Sequence, residues 1–204
     1  MTAPASKCRK NVHLWERIAE DFYVEPEWCS RRLFEHVGFS GSVYDPACGL
    51  GRIVRAAREE GYESFGTDIT KRSPDCGSEV DFLSCQRGQL PVNANSRFFS
   101  IPSVVCNPPF KLAEAFVKRA LQIAEYEVAM LLPTTWRSGD SRSRWLEATP
   151  LAAVLDLTPR PSMPPGSMIE AGIDPGGGTV DYAWYIWRRG HRGAYRGGWL
   201  RRDR

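Results

Sequence analysis

Long hydrophobic runs are missing from this 204-residue chain. The longest, at 128–132 and 183–187, fall far short of the ~20 apolar residues that a membrane-spanning helix needs. Residues 1–10 hold no apolar stretch of the kind that forms the centre of a secretory signal. The expected location is therefore cytoplasmic, with no membrane partner. Paired Cys-x-x-Cys spacing is also absent: Cys8, Cys29, Cys48, Cys76, Cys85 and Cys106 lie far apart, and no His stands near them at zinc-ligand spacing. They are expected to be reduced thiols used as small hydrophobes, with no metal site. No internal repeat and no low-complexity linker divides the chain, so a single domain is expected. With 42% apolar and 25% charged residues, the composition excludes a disordered or fibrous chain.

Charge is unevenly spread behind a net value of +3. Residues 188–204 hold seven arginines and one aspartate, giving +6, so the remaining 187 residues carry −3. A stretch mixing Arg, Gly and aromatics has the composition of segments that neutralise phosphates and stack on bases. It is equally that of a solubilising, disordered end.

Leu14, Ile18 and Phe22 recur at helical spacing near the start, and a second helix is expected from Pro26 to Gly38. From Ser42 onward, short apolar strands alternate with helical stretches. The expected strands are 43–45, 64–68, 102–106, 128–132, 152–157 and 181–187, with 80–83 as a further strand-like run. Helical faces lie around Ile53 to Ala57, along Leu112, Phe116, Ala120 and Ile123, and over 142–147. Glu114 and Lys118 form a favourable i, i+4 pair. This alternation implies an α/β fold with a parallel sheet covered on both faces. The last strand follows the Pro/Gly-rich loop 158–179 with no helix between, which allows it to run antiparallel.

Two segments carry chemistry. Asp45-Pro46-Ala47-Cys48-Gly49-Leu50-Gly51 joins a strand to a helix; its glycines permit close backbone approach to a ligand, and the helix N-terminus beyond it offers unpaired N–H groups. Asp68 ends the next strand, where a carboxylate can take the two hydroxyls of a ribose. Asn107-Pro108-Pro109-Phe110 follows another strand. Its prolines remove two backbone donors and stiffen the turn, leaving the Asn107 amide and the Pro108 carbonyl as a rigid pair of acceptors beside an aromatic surface.

Together these segments resemble the class I S-adenosylmethionine-dependent methyltransferases, specifically the N6-adenine DNA methyltransferases and among them the smaller phage-encoded ones. That family has a D-P-x-x-G-x-G cofactor loop followed by a D/N-P-P-Y/F catalytic loop. The resemblance implies one Rossmann-like domain with a mostly parallel seven-stranded sheet, an antiparallel last strand and helices on both faces. It implies an N-terminal helical segment (1–40) contributing to the cofactor pocket, a catalytic domain (41–187) and a basic tail (188–204).

It further implies S-adenosylmethionine as cofactor, held by Asp45, Pro46, Ala47, Cys48, Gly49 and Gly51 at its methionine end and by Asp68 at the ribose. Asp81 and Phe82 would meet its adenine, and Tyr23 belongs to a Tyr-x-x-Pro segment in which Glu25 replaces the family's usual Thr. Asn107, Pro108, Pro109 and Phe110 would be catalytic, acting on adenine N6 in double-stranded DNA, with the base extruded and stacked on Phe110. Arg137, Arg142, Arg144 and Arg160 lie in loops that can position phosphates, and Trp136 is expected to pack on its loop. RNA adenines and a protein glutamine amide are alternative targets of the same loop. A non-catalytic nucleic-acid-binding module is the reading from a different class.

Overall fold

The computed structural model describes residues 22–85, 101–173 and 176–203. The expected helix through Leu14 and Ile18, the thiol Cys8, and residues 86–100 lie outside them.

Helix α1 (Glu27–His36) begins directly after Pro26, whose fixed φ of −59° suits a helix start, and ends where Val37 turns extended. Strand β1 (Val43–Asp45) leads through the Gly-rich turn into α2 (Arg52–Glu59). That helix buries Ile53, Val54, Ala56 and Ala57 and turns Arg55 and Arg58 outward. Strands β2 (Ser64–Asp68) and β3 (Cys76–Glu79) follow, then β4 (Ile101–Cys106) and α3 (Ala113–Ile123). On α3 the Glu114–Lys118 pair closes at 2.7 Å. Strand β5 (Ala124–Pro133), α4 (Asp140–Glu147), β6 (Leu151–Thr158), α5 (Gly166–Glu170), β7 (Tyr182–Arg188) and β8 (Arg196–Arg201) complete the order.

The eight strands form one sheet in the order β3-β2-β1-β4-β5-β7-β6-β8. All neighbouring pairs are parallel except those of β7, which runs antiparallel to both β5 and β6. One face packs against α1 and α2, the other against α3 and the Trp136 and Leu146 segment. Strand β7 shows why the sheet is buried on both sides. Tyr182, Trp184 and Ile186 join the first cluster, whereas Ala183, Tyr185 and Trp187 join the second. Their polar tips are satisfied: Trp184 Nε1 donates to Cys29 O at 3.0 Å, Trp187 Nε1 to Thr149 Oγ1 at 2.9 Å, and the Tyr185 hydroxyl to Thr134 O at 3.1 Å.

Three expectations are corrected. The sheet has eight strands, and the antiparallel one is the penultimate; the last, β8, runs parallel to β6 along residues expected to be a tail. An edge strand needs little apolar sequence, and in Arg196–Arg201 only Leu200 is buried. The strand-like run 80–83 lies just beyond β3, because Asp81 caps a turn there, accepting from Leu83 N at 3.0 Å and Ser84 Oγ at 2.7 Å. The loop 158–179 contains the short helix α5. Among the described residues no helix is long and apolar enough to cross a membrane.

Candidate functional site

Parallel strands β1, β2 and β4 deliver their C-terminal ends to one edge of the sheet, and a cavity of about 550 Å³ opens there. That size is ordinary for a small-molecule site. Of the residues singled out in the sequence, Tyr23, Asp45, Pro46, Ala47, Cys48, Gly49, Asp68, Asp81, Phe82, Asn107 and Pro109 line it. Gly51, Pro108 and Phe110 do not.

The loop after β1 is held through its backbone N–H groups. Asp45 is buried at 1% exposure and accepts from Ala47 N at 3.1 Å, while Cys48 N donates to Thr67 O and Gly49 N to Asp68 Oδ2, both at 2.9 Å. Gly51, at φ 77°, opens α2 where a Cβ would strike Asp75, the carboxylate that pairs with Arg55 and Arg58. Its part is to turn the chain into the helix. Gly49 and Gly166 instead make room for the ring of Phe22, which lies between them beneath the Arg72 guanidinium, 4.3 Å from the ring centre.

Asp68 accepts from Gly49 N, from Thr70 N at 3.1 Å and from Arg72 Nη1 at 3.1 Å. Three of about four lone-pair directions on its carboxylate are thus in use. Phe82 is buried among Tyr44 and Phe116 and meets the cavity from beneath. Asp81 is exposed, and its hydrogen bond from Ser84 holds its carboxyl below the usual range.

The segment 22–25 bridges the two loops. Tyr23 pairs with Pro165, and Val24 N donates to Pro164 O, which anchors the segment on the turn before α5. Asn107 Nδ2 then donates to Tyr23 O at 3.1 Å and to Glu25 Oε2 at 2.9 Å. Two acceptors on that side dictate which way the amide is turned. Oδ1 is the other end of an amide that lines the cavity. Phe110 is packed between two rings: Tyr23 lies at 5.8 Å and 15°, Tyr182 at 5.6 Å and 34°.

Glu25 and Arg52 carry a role that reading the sequence missed. Glu25 is 5% exposed and also accepts from Ser30 Oγ at 3.2 Å, and its backbone carbonyl takes a hydrogen bond from Arg52 Nη1. Burial pushes its carboxyl above the usual value, against the lowering effect of its hydrogen bonds and Arg52. Asp45 is pushed well above its usual value, first by burial and then by the charge of Glu25. The one signal available was the departure of Glu25 from the family's pattern.

The arginines expected in loops are mostly engaged within the protein, and two of them, Arg142 and Arg144, lie on α4. Arg142 donates to Trp136 O and pairs with Glu114, Arg144 pairs with Asp140, and Arg160 pairs with Asp181 at 2.6 Å. Trp136 is buried against Tyr185, as a packing residue.

No protein-family model and no curated protein matches this sequence. Solved structures share the fold at low identity. A protein assigned as a class I S-adenosylmethionine-dependent methyltransferase from Listeria monocytogenes is similar over 91% of this chain and 67% of its own, with 11% identity and a TM-score of 0.56. A modification subunit assigned to a type I restriction enzyme from Vibrio vulnificus is similar over 85% of this chain, with 14% identity and a TM-score of 0.54; the chain spans 46% of that subunit. A protein assigned as an RNA methyltransferase from Pyrococcus horikoshii is similar over 79% of this chain and 80% of its own, with 14% identity and a TM-score of 0.50. The chain has the Rossmann-like fold of these methyltransferases.

Proposed function

We propose that this chain transfers a methyl group from S-adenosylmethionine to the exocyclic N6 amine of adenine in DNA. The observation that carries this reading is the Asn107 amide, which lines the cavity and whose Nδ2 donates to Tyr23 O and Glu25, so that Oδ1 is the end turned away from those two acceptors. The similarity to a type I modification subunit supports DNA as the substrate class.

The cavity suits the cofactor, because the buried carboxylates Asp45 and Glu25 are relieved by a cationic ligand end, and the loop 45–49 supplies backbone around it. When bound, S-adenosylmethionine supplies an electrophilic methyl group on a positively charged sulfur. This chain's own residues then act on the acceptor. An aromatic amine is a poor nucleophile because its lone pair is delocalised into the ring. Asn107 Oδ1 and the Pro108 carbonyl would accept hydrogen bonds from its two N–H groups, favouring the pyramidal nitrogen and stabilising the positive charge that develops as the N–C bond forms and the S–C bond breaks; the methylated nitrogen then loses one proton to solvent. Phe110 is packed between Tyr23 and Tyr182, so it would meet the target base by its edge, not by the stacked face that the motif suggests.

Glu25→Ala removes an acceptor from the Asn107 amide and frees it to turn. Single-turnover transfer is expected to fall about tenfold or more, the worth of a hydrogen bond to a charged group. Glu25→Gln, whose Oε1 accepts from the same amide, should recover part of it.

The deciding experiment is mass-spectrometric quantification of N6-methyladenine in adenine-unmethylated duplex DNA, incubated with the protein and S-adenosylmethionine. A cofactor-dependent rise is expected. Cofactor binding with transfer only to RNA or protein would change the substrate class, and absence of cofactor binding would favour a silent nucleic-acid-binding module.

A further inference from the structure

The basic C-terminal segment ends as a folded strand, and the strand has two different faces. On β8, Leu200 points to the α1 and α2 side and is buried, so alternation places Trp199 and Arg201 on the opposite face. Trp199 is 67% exposed and stands opposite Asp156 of β6 in the parallel register. Tyr195, just before β8, is 43% exposed and lies under the Arg137 guanidinium, 5.9 Å from its ring centre. Between the two aromatics sits Gly197, where an added Cβ would meet nothing within 4 Å. The strand face thus reads aromatic, glycine, aromatic, arginine: two exposed rings flanking an open, flat backbone.

The chemistry around this face is of one kind. Arg189, Arg192 and Arg201 form no ion pair with a carboxylate among the described residues; alternation with Leu200 puts Arg196 and Arg202 on the α1 and α2 side, where Asp203 is taken by Arg31 and Arg32 at 3.7 and 3.2 Å. Opposite Trp199 in the register, the Oδ1 of Asp156 is buried and has no hydrogen-bond donor among the described residues. Asp156 and Arg137 both act on the Tyr185 hydroxyl, which burial pushes up to about 12, so these groups share one spot on the sheet. Exposed aromatics with unpaired arginines fit a polyanion that carries planar groups.

Position relates the face to the catalytic loop. Strands β8 and β4 run in the same direction, so Arg201 and Asn107 lie at the same edge of the sheet. Four strand spacings, about 19 Å, separate them laterally.

We infer that the β8 face, through Tyr195, Trp199 and Arg201, is a stacking platform for unpaired bases of the nucleic-acid strand that flanks the target. This inference rests on the nucleic-acid substrate proposed above. Rings bind any base by its π-face, so the platform is tolerant of sequence and sensitive to salt.

The test uses the full chain without cofactor, titrated with a fluorescein-labelled single-stranded DNA 15-mer and followed by anisotropy and by tryptophan quenching. Trp199→Ala is expected to weaken binding about fivefold to a hundredfold, the range for one base stacked on an aromatic ring. Tyr195→Ala should act in the same direction, Trp199→Phe should restore most of the affinity, and Arg201→Gln should reduce the salt dependence. Because Trp199 is exposed, melting temperatures should stay at the native value. Unchanged affinity in both aromatic variants, or no binding by the native chain, overturns the platform whether or not methyl transfer is seen. Ring-dependent binding without methyl transfer keeps the platform and removes the proposed reaction.

Discussion

Replacing Asn107 by alanine is expected to slow methyl transfer about 10²–10³-fold, the usual loss for one preorganised polar group at a developing charge, while S-adenosylmethionine affinity stays close to native. The separation follows from geometry. The Asn107 amide makes its two hydrogen bonds to Tyr23 O and Glu25 on one side and presents Oδ1 on the other. The groups expected at the methionine end of the cofactor belong to the loop after β1, which is pinned independently through Thr67 and Asp68. Asn107→Asp retains an oxygen for the substrate, yet it should fail to restore transfer. A carboxylate oxygen would then face Glu25 at hydrogen-bond distance, and one of the two must take a proton. Isothermal titration of the cofactor beside single-turnover transfer checks both parts. Affinity that falls as far as rate would show that Asn107 acts on the cofactor site and not on the target amine.

Much of this arrangement is legible in the sequence because it is local. The strand–turn–helix after Val43 is written in three buried residues, a proline and two glycines. The rigid turn after Cys106 is written in two consecutive prolines. The pairing of Asp68 with the loop was legible only in part. A strand-end carboxylate at that spacing suggested a ribose, whereas it first clamps Gly49, Thr70 and Arg72. Glu25 was obscured because its significance is non-local: 82 residues separate it from Asn107, and a carboxylate before a proline carries no periodic signal. Strand β8 was obscured for the opposite reason. Its hydrogen bonds to β6 are made by backbone, which glycine and arginine supply as well as valine does, and an edge strand buries too little to leave an apolar pattern. Phe110 matched the motif, but the two aromatic rings that hold it come from residues 23 and 182, at opposite ends of the described chain.

Asp45→Asn is expected to stabilise the protein and impair it at once. The Asp45 carboxyl is buried, and its pKa lies well above the ordinary 3.8 because burial, then the charge of Glu25 and more weakly that of Asp68, disfavour its ionised form. A carboxyl whose pKa is higher folded than unfolded binds more protons in the native state, so its contribution to stability falls as pH rises. Below about 3.8 both states hold the proton and the cost vanishes. As pH climbs through the folded value, the native state must bury a charge and the full cost appears. Asparagine keeps an oxygen for Ala47 N and carries no charge. Its melting temperature should therefore exceed that of the native chain at pH 8, by about 2–4 °C for each kcal/mol recovered, and the difference should close toward pH 4. The same charge is what a cationic ligand end would neutralise. S-adenosylmethionine affinity at pH 8 is expected to drop about tenfold or more, the worth of a charge-assisted hydrogen bond. Thermal melts and cofactor titrations across that pH range measure both effects on one variant. A variant that melts lower at pH 8 and binds as well as the native chain would mean that Asp45 serves the turn alone, and that the cavity draws its selectivity for a cation from Glu25.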